Sequence, residues 1–457
     1  MNRVIGRSAI VVLLVIALTA GMLFFVADFL LNSGDWVLTE GSPHVYTDEG
    51  KVCGTVVDRN GNLLLDINDK RIYSPDVSLR SSIIHWLGDR EGYIYAPTLS
   101  YYTKLLTNYN TVDGLYVYGN EGGTVTMTLA DNVQIAALEA MADKKGTIAV
   151  YNYKTGEILC AVTTPTYDPN NVPDIAGDTE GIWTGAYVNR LLRSTYIPGS
   201  IFKIVTAAAA IERIPDIQEQ RFTCTGETQY GIDSVTCLAV HGKLNFEEAF
   251  LNSCNCAFAQ IAGQLGGEVL EEYAKKMGIT ESLSFDGVTT AAGNIQASGE
   301  ADVMVAWSAI GQHKDQINIC QFMTMVGAIA GGGEGAKPYI ISSVVAPGRD
   351  GYKAETTMMD GGLQPETTQL LTKMMRNNVE NFYGDEYFPG LTVCAKSGTA
   401  EVGGDKEPNA MFAGFVADEE YPLAFVMVVE NGGSGRRTCV PILSKVLAAC
   451  KEAMDGE

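Results

Sequence analysis

Histidine is scarce in this chain of 457 residues, which has only His44, His85, His241 and His313. The chain also lacks a G-x-S-x-G elbow, so a serine hydrolase with a Ser-His-Asp triad is excluded. Basic residues are outnumbered, with 32 Lys and Arg against 54 Asp and Glu and a net charge of −22. Phosphate binding needs clustered Lys and Arg, and no long basic run is present. The composition therefore argues against nucleic acid as a partner.

The ten cysteines include no CxxC pair, and no Cys/His cluster has the spacing of zinc ligands. The sequence therefore predicts neither a metal site nor a cofactor. Cys224 and Cys237 are close enough along the chain to close a short disulfide loop, which would contribute about 3 kcal/mol to stability. Six other cysteines stand singly in apolar segments, where buried free thiols are common.

One long hydrophobic run is present, at residues 8–27, and it is long enough to cross a bilayer as a helix. Two arginines precede it and two aspartates follow it, so the positive-inside rule places residues 1–7 in the cytoplasm. A cleavable signal peptide is the alternative, but the apolar run continues past the best cleavage candidate, residues 17–20. We expect an uncleaved anchor that leaves residues 32–457 outside the cytoplasm.

After the anchor, turn signals and β-branched residues predict a β-rich region over residues 45–125. It contains a hairpin around Asn60-Gly61 and a strand over residues 124–129. Asp131 is the predicted N-cap of the helix that follows. This region predicts a small domain without catalytic residues.

The remainder of the chain has predicted strands at both ends and predicted helices between them. The strands are predicted at 147–152, 158–163, 392–396, 411–416 and 423–429, and the helices at 201–213, 245–265, 270–277 and 442–454. This order predicts an α+β domain whose sheet joins its first and last segments. The predicted division is anchor 1–31, pedestal domain 32–140 and main domain 141–457.

Ser200 and Lys203 form a nucleophile-and-base pair at the start of a predicted helix. Side chains three residues apart share one face of a helix, and the preceding Pro-Gly step turns the chain into it. A serine hydroxyl needs a base, and lysine can serve as one if burial and neighbouring cations lower its pKa. The pair alone is weak, because an exposed helix turn carries the same residues by chance.

A second motif, Ser253-Cys254-Asn255, contains a hydroxyl and an amide. The hydroxyl can relay a proton between a lysine and a leaving group. The amide can hold a substrate carbonyl or the lysine itself. Considered alone, this motif is also typical of a polar patch that ends a helix.

A third motif, Lys396-Ser397-Gly398-Thr399, is predicted to close a strand. Its lysine and threonine can bind a substrate carboxylate, and Gly398 lets a substrate backbone approach. A backbone N–H near Thr399 is expected to pair with that of Ser200 as an oxyanion hole. Three weak motifs in this order, each on a suitable predicted element, together predict serine acyl transfer without histidine.

On these motifs the chain resembles the class B penicillin-binding proteins, the transpeptidases of bacterial cell-wall synthesis. The resemblance covers nearly the whole chain. It rests on the stretches at 196–203, 251–258 and 395–401, on the pedestal signature at 54–61, and on 155–158, 165–170 and 189–190. The family's paired cysteines and His-Gly step are matched by Cys224, Cys237 and His241-Gly242. The chain departs from the common pattern at Cys254, Ser397 and Phe412, where many relatives carry Asp, Thr and Trp.

The resemblance implies a penicillin-binding fold, an antiparallel sheet flanked by helices, and a complete set of roles. Ser200 would be acylated by the D-Ala-D-Ala end of a peptidoglycan stem peptide and would transfer the acyl group to a neighbouring stem amine. Lys203 would act as base, Ser253 as proton shuttle and Asn255 as substrate anchor. The carboxylate clamp would be formed by Lys396, Ser397 and Thr399.

β-Lactams would acylate Ser200 as substrate mimics, and a polytopic membrane glycosyltransferase would be the partner. A β-lactamase or a D,D-carboxypeptidase has the same reactive groups, and the anchor and pedestal argue against both. A non-enzymatic scaffold that activates a polymerase is compatible with anchor and pedestal, but the three intact motifs argue against it. The sequence does not distinguish roles in elongation, division or sporulation, nor does it identify the acceptor amine.

Overall fold

A computed structural model describes residues 2–37, 54–68, 70–106, 109–110, 115–116, 122–346 and 350–456. The α-helices are Asn2–Val37, Val77–Leu87, Pro97–Leu106, Asp131–Met141, Arg190–Arg193, Lys203–Arg213, Phe246–Leu251, Asn255–Leu265, Gly267–Lys276, Asp302–Ala309, Ile319–Ala330, Pro365–Asn378 and Gly435–Asp455. Short 3-10 turns span Gly199–Phe202 and Asp385–Tyr387, and a π-helical turn spans Val379–Tyr383.

The strands form two main sheets and several two-stranded pairs. The six-stranded sheet has the order Tyr352–Lys353, Ile341–Val345, Gly123–Met127, Gly54–Val57, Leu63–Asp66 and Ile72–Tyr73. The five-stranded sheet has the order Val393–Ala400, Asn409–Val416, Leu423–Val429, Gly146–Asn152 and Ile158–Thr164. The short strands are Tyr109–Asn110, Leu115–Tyr116, Thr195–Tyr196, Phe222–Cys224, Glu227–Tyr230, Asp233–Thr236, Gly242–Leu244, Ser284–Phe285, Val288–Thr289, Ile317–Asn318, Glu334–Ala336 and Met358–Asp360.

The N-terminal hydrophobic run is a helix, Asn2–Val37. Its apolar part, Gly6–Leu31, has a mean hydropathy of 2.9 and is not covered by any of the described residues. A helix of this length and composition is consistent with a membrane anchor or a signal sequence.

The predicted hairpin in the β-rich region is confirmed. Gly54–Val57 pairs antiparallel with Leu63–Asp66, and the Asp58 carboxylate accepts hydrogen bonds from the backbone N–H groups of Asn60 (2.9 Å) and Asn62 (2.7 Å). Gly61 has φ of 85°, a conformation that glycine adopts without strain. The first part of the predicted region, residues 45–53, lies outside the described residues.

The β-rich region differs from the prediction in two other respects. It contains the helices Val77–Leu87 and Pro97–Leu106, which bury Ile83, Trp86 and Leu99 against the sheet. Asp131 is the first residue of its helix and not the N-cap, which is Ala130. The Asp131 carboxylate accepts from the N–H of Asn132 at 2.7 Å, so it still lies where negative charge favours a helix start.

The five-stranded antiparallel sheet confirms the predicted α+β architecture. As predicted, its first two strands along the chain, Gly146–Asn152 and Ile158–Thr164, lie in one sheet with the last three. The pairing of Gly146–Asn152 with Leu423–Val429 joins the two groups. One face packs against the helices Asp131–Met141 and Gly435–Asp455, and the other against Ile319–Ala330. Four of the strands are buried along their whole length because helices cover both faces, and the edge strand Val393–Ala400 exposes Thr399.

The predicted single helix over residues 245–265 is wrong, because the chain forms two helices. Phe246–Leu251 starts with the expected capping box of Asn245 and Glu248, and a second helix starts after Cys254. Between the two, Ser253 has φ of 50°, which L-residues adopt at a cost. Such conformations concentrate at functional sites. Here the positive φ separates the two helices and places Ser253 in the loop between them.

Asp286 connects the β-rich region to the main domain. It lies in the tight turn between Ser284–Phe285 and Val288–Thr289, and its carboxylate is nearly buried. It accepts from the hydroxyl of Tyr102 at 2.9 Å and from the backbone N–H groups of Ile340 (2.6 Å) and Ile341 (3.0 Å). Burial raises the pKa of this carboxyl above its ordinary value.

We expect Asp286→Ala to lower the melting temperature of the full chain, because it leaves three buried donors without an acceptor. The expected cost is about 1–3 kcal/mol. Asp286→Asn keeps one acceptor oxygen and the preference for positive φ, so it serves as the milder control. Thermal unfolding checks both variants, and an Asp286→Ala protein as stable as the wild type would contradict this account.

Candidate active site

The nucleophile candidate Ser200 lies in the 3-10 turn Gly199–Phe202, directly before the helix Lys203–Arg213. Gly199 has φ of 53°, and its N–H donates to the carbonyl of Gly311 at 2.7 Å. A Cβ at Gly199 would lie 2.7 Å from the carbonyl oxygen of Thr399. Because Gly199 has no side chain, the turn Gly199–Phe202 packs directly against the third motif.

Lys203 brings the first and second motifs together. Its side chain is fully buried, and Nζ lies 3.1 Å from Ser200 Oγ. It donates to the carbonyl oxygen of Ser253 and to Asn255 Oδ1, both at 2.7 Å, and lies 3.1 Å from Ser253 Oγ. Burial lowers the pKa of Lys203 from its ordinary value to about 7.

The contacts of Lys203 suit a neutral amine. A neutral amine has two N–H bonds and one lone pair, and the two carbonyl oxygens can accept only from the N–H bonds. The lone pair is then left for the two hydroxyls, those of Ser200 and Ser253. The Asn255 amide is held in the required orientation because its Nδ2 donates to the carbonyl of Thr236 at 2.9 Å. Lys203 is therefore placed to take a proton from Ser200.

Ser253 connects two buried lysines. Its Oγ lies 3.1 Å from Lys203 Nζ and 3.1 Å from Lys396 Nζ. Lys396 is buried, and burial together with the neighbouring Lys203 lowers its pKa well below the ordinary value. Phe258 and Phe250 flank the two amines, with ring centroids 5.5 and 5.8 Å away. The hydroxyl can thus pass a proton between the two amines.

The third motif lies inside a strand and does not close it, because Val393–Ala400 continues past Thr399. Gly398 packs against the nucleophile turn, so its small size serves the fold. A Cβ there would lie 3.0 Å from the carbonyl oxygen of Pro198 and 3.1 Å from Ile201. The prediction that Gly398 makes room for a substrate is therefore not needed to explain the glycine.

The strand Val393–Ala400 is at the edge of its sheet, and side chains from other elements satisfy three of its outer hydrogen-bonding groups. The carbonyls of Val393 and Ala395 accept from Arg376 (3.1 Å) and Asn378 (2.9 Å), and the N–H of Ser397 donates to the Tyr383 hydroxyl at 2.8 Å. Groups on an antiparallel strand alternate in direction every residue. The N–H of Thr399 therefore faces the same outer side, toward Ser200.

A cleft of about 820 Å³ surrounds these groups. Its walls include Ser200, Ser253, Asn255, Ser397 and Thr399, together with residues that the sequence analysis missed. The missed residues are Trp307, Gln312, Phe382, Tyr383, Tyr387, Glu401, Arg436 and Arg437. They come from separate loops and helices, and no local pattern distinguishes them. Arg436 stacks over the ring of Phe382 at 4.5 Å and contributes positive charge beside Thr399.

The structure brings together four Cys and His residues that their spacing along the sequence did not associate with a metal site. Cys224, Cys237, His241 and Cys254 have ligand atoms within 4.8 Å of one another. Cys224 and Cys237 are both free thiols, so the disulfide that their spacing allows is not formed. The spacing gave no signal because the ligands come from three separate segments of chain.

The family model for the penicillin-binding protein transpeptidase domain matches residues 146–448, well over half of the chain. The chain belongs to the penicillin-binding transpeptidase family. The match begins at the first strand of the five-stranded sheet and ends in the last helix, so it includes all three motifs.

Relatives within this transpeptidase family share about a quarter of their residues with the chain. The peptidoglycan D,D-transpeptidase PbpA of Mycolicibacterium smegmatis is 27% identical over 359 residues, covering 72% of each chain. Penicillin-binding protein 3 of Bacillus subtilis is 25% identical over 337 residues, covering 69% of this chain and 49% of its own.

Solved structures show the same fold. The D,D-transpeptidase domain of a peptidoglycan glycosyltransferase from Eggerthella lenta has 25% identity and a TM-score of 0.75, covering 88% of this chain and 99% of its own. The imipenem acyl-enzyme complex of penicillin-binding protein A from M. tuberculosis has a TM-score of 0.76 at 22% identity, covering 89% and 99%.

Proposed function

We propose that this protein is a serine-type peptidoglycan D,D-transpeptidase. The observation that carries the proposal is the chain of contacts from Ser200 Oγ through Lys203 Nζ and Ser253 Oγ to Lys396 Nζ, with 3.1 Å at each step. Such a chain activates a serine and returns its proton without histidine. The family and its D,D-transpeptidase relatives support the same chemistry.

In the acylation step, Ser200 Oγ attacks the carbonyl carbon of the penultimate D-alanine of a stem peptide. Lys203 takes the hydroxyl proton, and the N–H groups of Ser200 and Thr399 stabilise the oxyanion. The C–N bond to the terminal D-alanine then breaks, and the leaving amine receives the proton by way of Ser253. The product is an ester between the shortened stem and Ser200.

In the transfer step, an amine of a neighbouring stem attacks the ester carbonyl. Its proton passes to Lys203 and from there to Ser200 Oγ as the ester bond breaks. The cross-linking amide forms and the free serine is restored. β-Lactams acylate Ser200 in the same way, as they do the M. tuberculosis relative in its imipenem acyl-enzyme complex.

Recognition of the substrate carboxylate is assigned to the edge strand and the charge next to it. The hydroxyls of Ser397 and Thr399 line the cleft, with Arg436 and Arg437 close by. Lys396, whose Nζ lies 3.1 Å from Ser253 Oγ, belongs to this clamp as a hydrogen-bond donor, and Asn255 holds the stem amide.

The N-terminal helix is assigned as an uncleaved single-pass anchor, which places the catalytic domain outside the cytoplasm. The chain is divided into anchor 1–31, pedestal 32–140 and transpeptidase domain 141–457. Strands Ile341–Val345 and Tyr352–Lys353 cross over to complete the pedestal sheet. The pedestal and anchor are the expected contacts of a polytopic membrane glycosyltransferase. A related penicillin-binding protein, PBP2 of Helicobacter pylori, has been solved in complex with MreC.

Time-resolved intact-mass spectrometry of the full chain with penicillin tests the assignment. We expect a long-lived adduct on the wild type and none on Ser200→Ala, because that variant lacks the nucleophile. Ser284→Ala, in an exposed hairpin, is the matched control and should retain the adduct. Rapid turnover to penicilloate would instead indicate a β-lactamase. A folded protein with neither adduct nor turnover would favour the scaffold alternative.

The rate of penicillin acylation should depend on the protonation of Lys203. Since burial brings its pKa to about 7, the rate should rise with pH below that value and level off above it. The expected slope is roughly tenfold per pH unit on the acidic side. Stopped-flow acylation measures the profile, with circular dichroism to show that the fold persists. A rate independent of pH from about 5 to 9 would contradict a neutral lysine base.

A further inference from the structure

Three cysteines and one histidine, from three segments within residues 224–254, converge beside the second motif. Cys224 ends the strand Phe222–Cys224, Cys237 directly follows Asp233–Thr236, and His241 directly precedes Gly242–Leu244. Cys254 is the N-cap of the helix Asn255–Leu265. Cys224 and Cys254 are buried and the other two are half-buried, so the group is largely shielded from solvent.

Three distances within this Cys/His cluster match those of a tetrahedral zinc site, and all four ligand atoms lie within 4.8 Å of one another. Bonds of about 2.3 Å to sulfur and about 2.0 Å to nitrogen separate two sulfurs by about 3.8 Å and a sulfur from a nitrogen by about 3.5 Å. Cys237 Sγ lies 3.9 Å from Cys254 Sγ. His241 Nδ1 lies 3.5 Å from Sγ of Cys224 and also from Sγ of Cys237.

The backbone around the cluster also holds its ligands in place. Cys254 Sγ accepts from the N–H of Ala257 at 3.4 Å in the first turn of its helix, where the dipole stabilises negative charge. Backbone pairing holds the other ligands, since Cys224 pairs with Gly242 and the N–H of Cys237 donates to the carbonyl of Gly226 at 2.8 Å. The backbone thus positions the four ligands beside one another.

We propose that Cys224, Cys237, His241 and Cys254 bind one zinc ion with four protein ligands. Three thiolates and one imidazole are soft and borderline ligands that select zinc over Mg²⁺ or Ca²⁺. Four protein ligands leave no open coordination position, so the ion is structural and takes no part in acyl transfer. A disulfide between two of the thiols is the competing state outside the cytoplasm, and it would leave the third thiol and the histidine without a role.

The zinc ion would support the second motif of the active site. Cys254 lies between Ser253 and Asn255, and Cys237 follows Thr236, whose carbonyl accepts from the Asn255 amide at 2.9 Å. A metal bound to both cysteines would fix this amide and the positive φ of Ser253. It also explains a cysteine at a position where many relatives have aspartate. Loss of the metal should therefore slow acylation by loosening the Lys203 contacts.

Metal analysis of the full chain, purified in detergent with reductant and without chelator, tests the proposal. We expect about one zinc per chain in the wild type and loss of that zinc in His241→Ala and Cys224→Ala. Cys320→Ala is the matched control, because it removes a buried thiol outside the cluster and should keep the zinc. Penicillin acylation should be slower in the first two variants and unchanged in the control.

Cobalt substitution of the wild type gives a second measurement that needs no variant to fold. Bound Co²⁺ should show intense thiolate-to-cobalt absorption and tetrahedral ligand-field bands. The proposal would be overturned if the wild-type chain, kept under reductant, bound neither zinc nor cobalt. It would also be overturned if Cys224 and Cys237 formed a disulfide when either metal was present. Zinc retained in both ligand variants would overturn it as well. Metal content is measured without substrate, so a chain without zinc would refute the zinc site and leave the proposed acyl transfer untouched.

Discussion

Two lysine amines share one buried hydroxyl in this protein, and that constraint organises the site around them. Lys203 and Lys396 each lie 3.1 Å from Ser253 Oγ and are almost wholly removed from water. Two ammonium ions so close in an apolar setting would repel each other and would both lose hydration. The lowest-energy arrangement gives up a proton, and Lys203, the amine that contacts Ser200 Oγ, is the one placed to act as its base.

The fold keeps this arrangement by bringing rigid elements together at very short range. The nucleophile turn packs on the edge strand through Gly199 and Gly398, where any Cβ would collide with backbone or side-chain atoms. The break between two helices presents Ser253 and Asn255 from the opposite side. The first motif, the second motif and the strand therefore meet only when the helical part and the sheet are assembled. The site is a property of the whole domain.

Much of this site was predictable from the sequence because its residues fall into short motifs. Ser200 and Lys203 are three residues apart, and both strand regions follow clear β-branched patterns. The helix break at Ser253 was not predictable, since residues 245–265 are apolar at helical spacing and the contact of Lys203 with the Ser253 carbonyl, which favours the positive φ, is tertiary. Tyr383 was missed because it lies in a π-helical turn that has no local sequence signature. Its hydroxyl accepts a hydrogen bond from the N–H of Ser397. The Cys/His cluster was missed because it joins residues up to thirty positions apart.

The central claim is that Lys203 is neutral near physiological pH, and nitrogen NMR of the full chain labelled with ¹⁵N-lysine tests it most directly. The Nζ resonance, assigned by its loss in Lys203→Arg, reports protonation of this one amine. The account predicts that this resonance titrates near pH 7, as burial brings the pKa to about 7. A resonance that keeps the ammonium shift up to about pH 10 would contradict it.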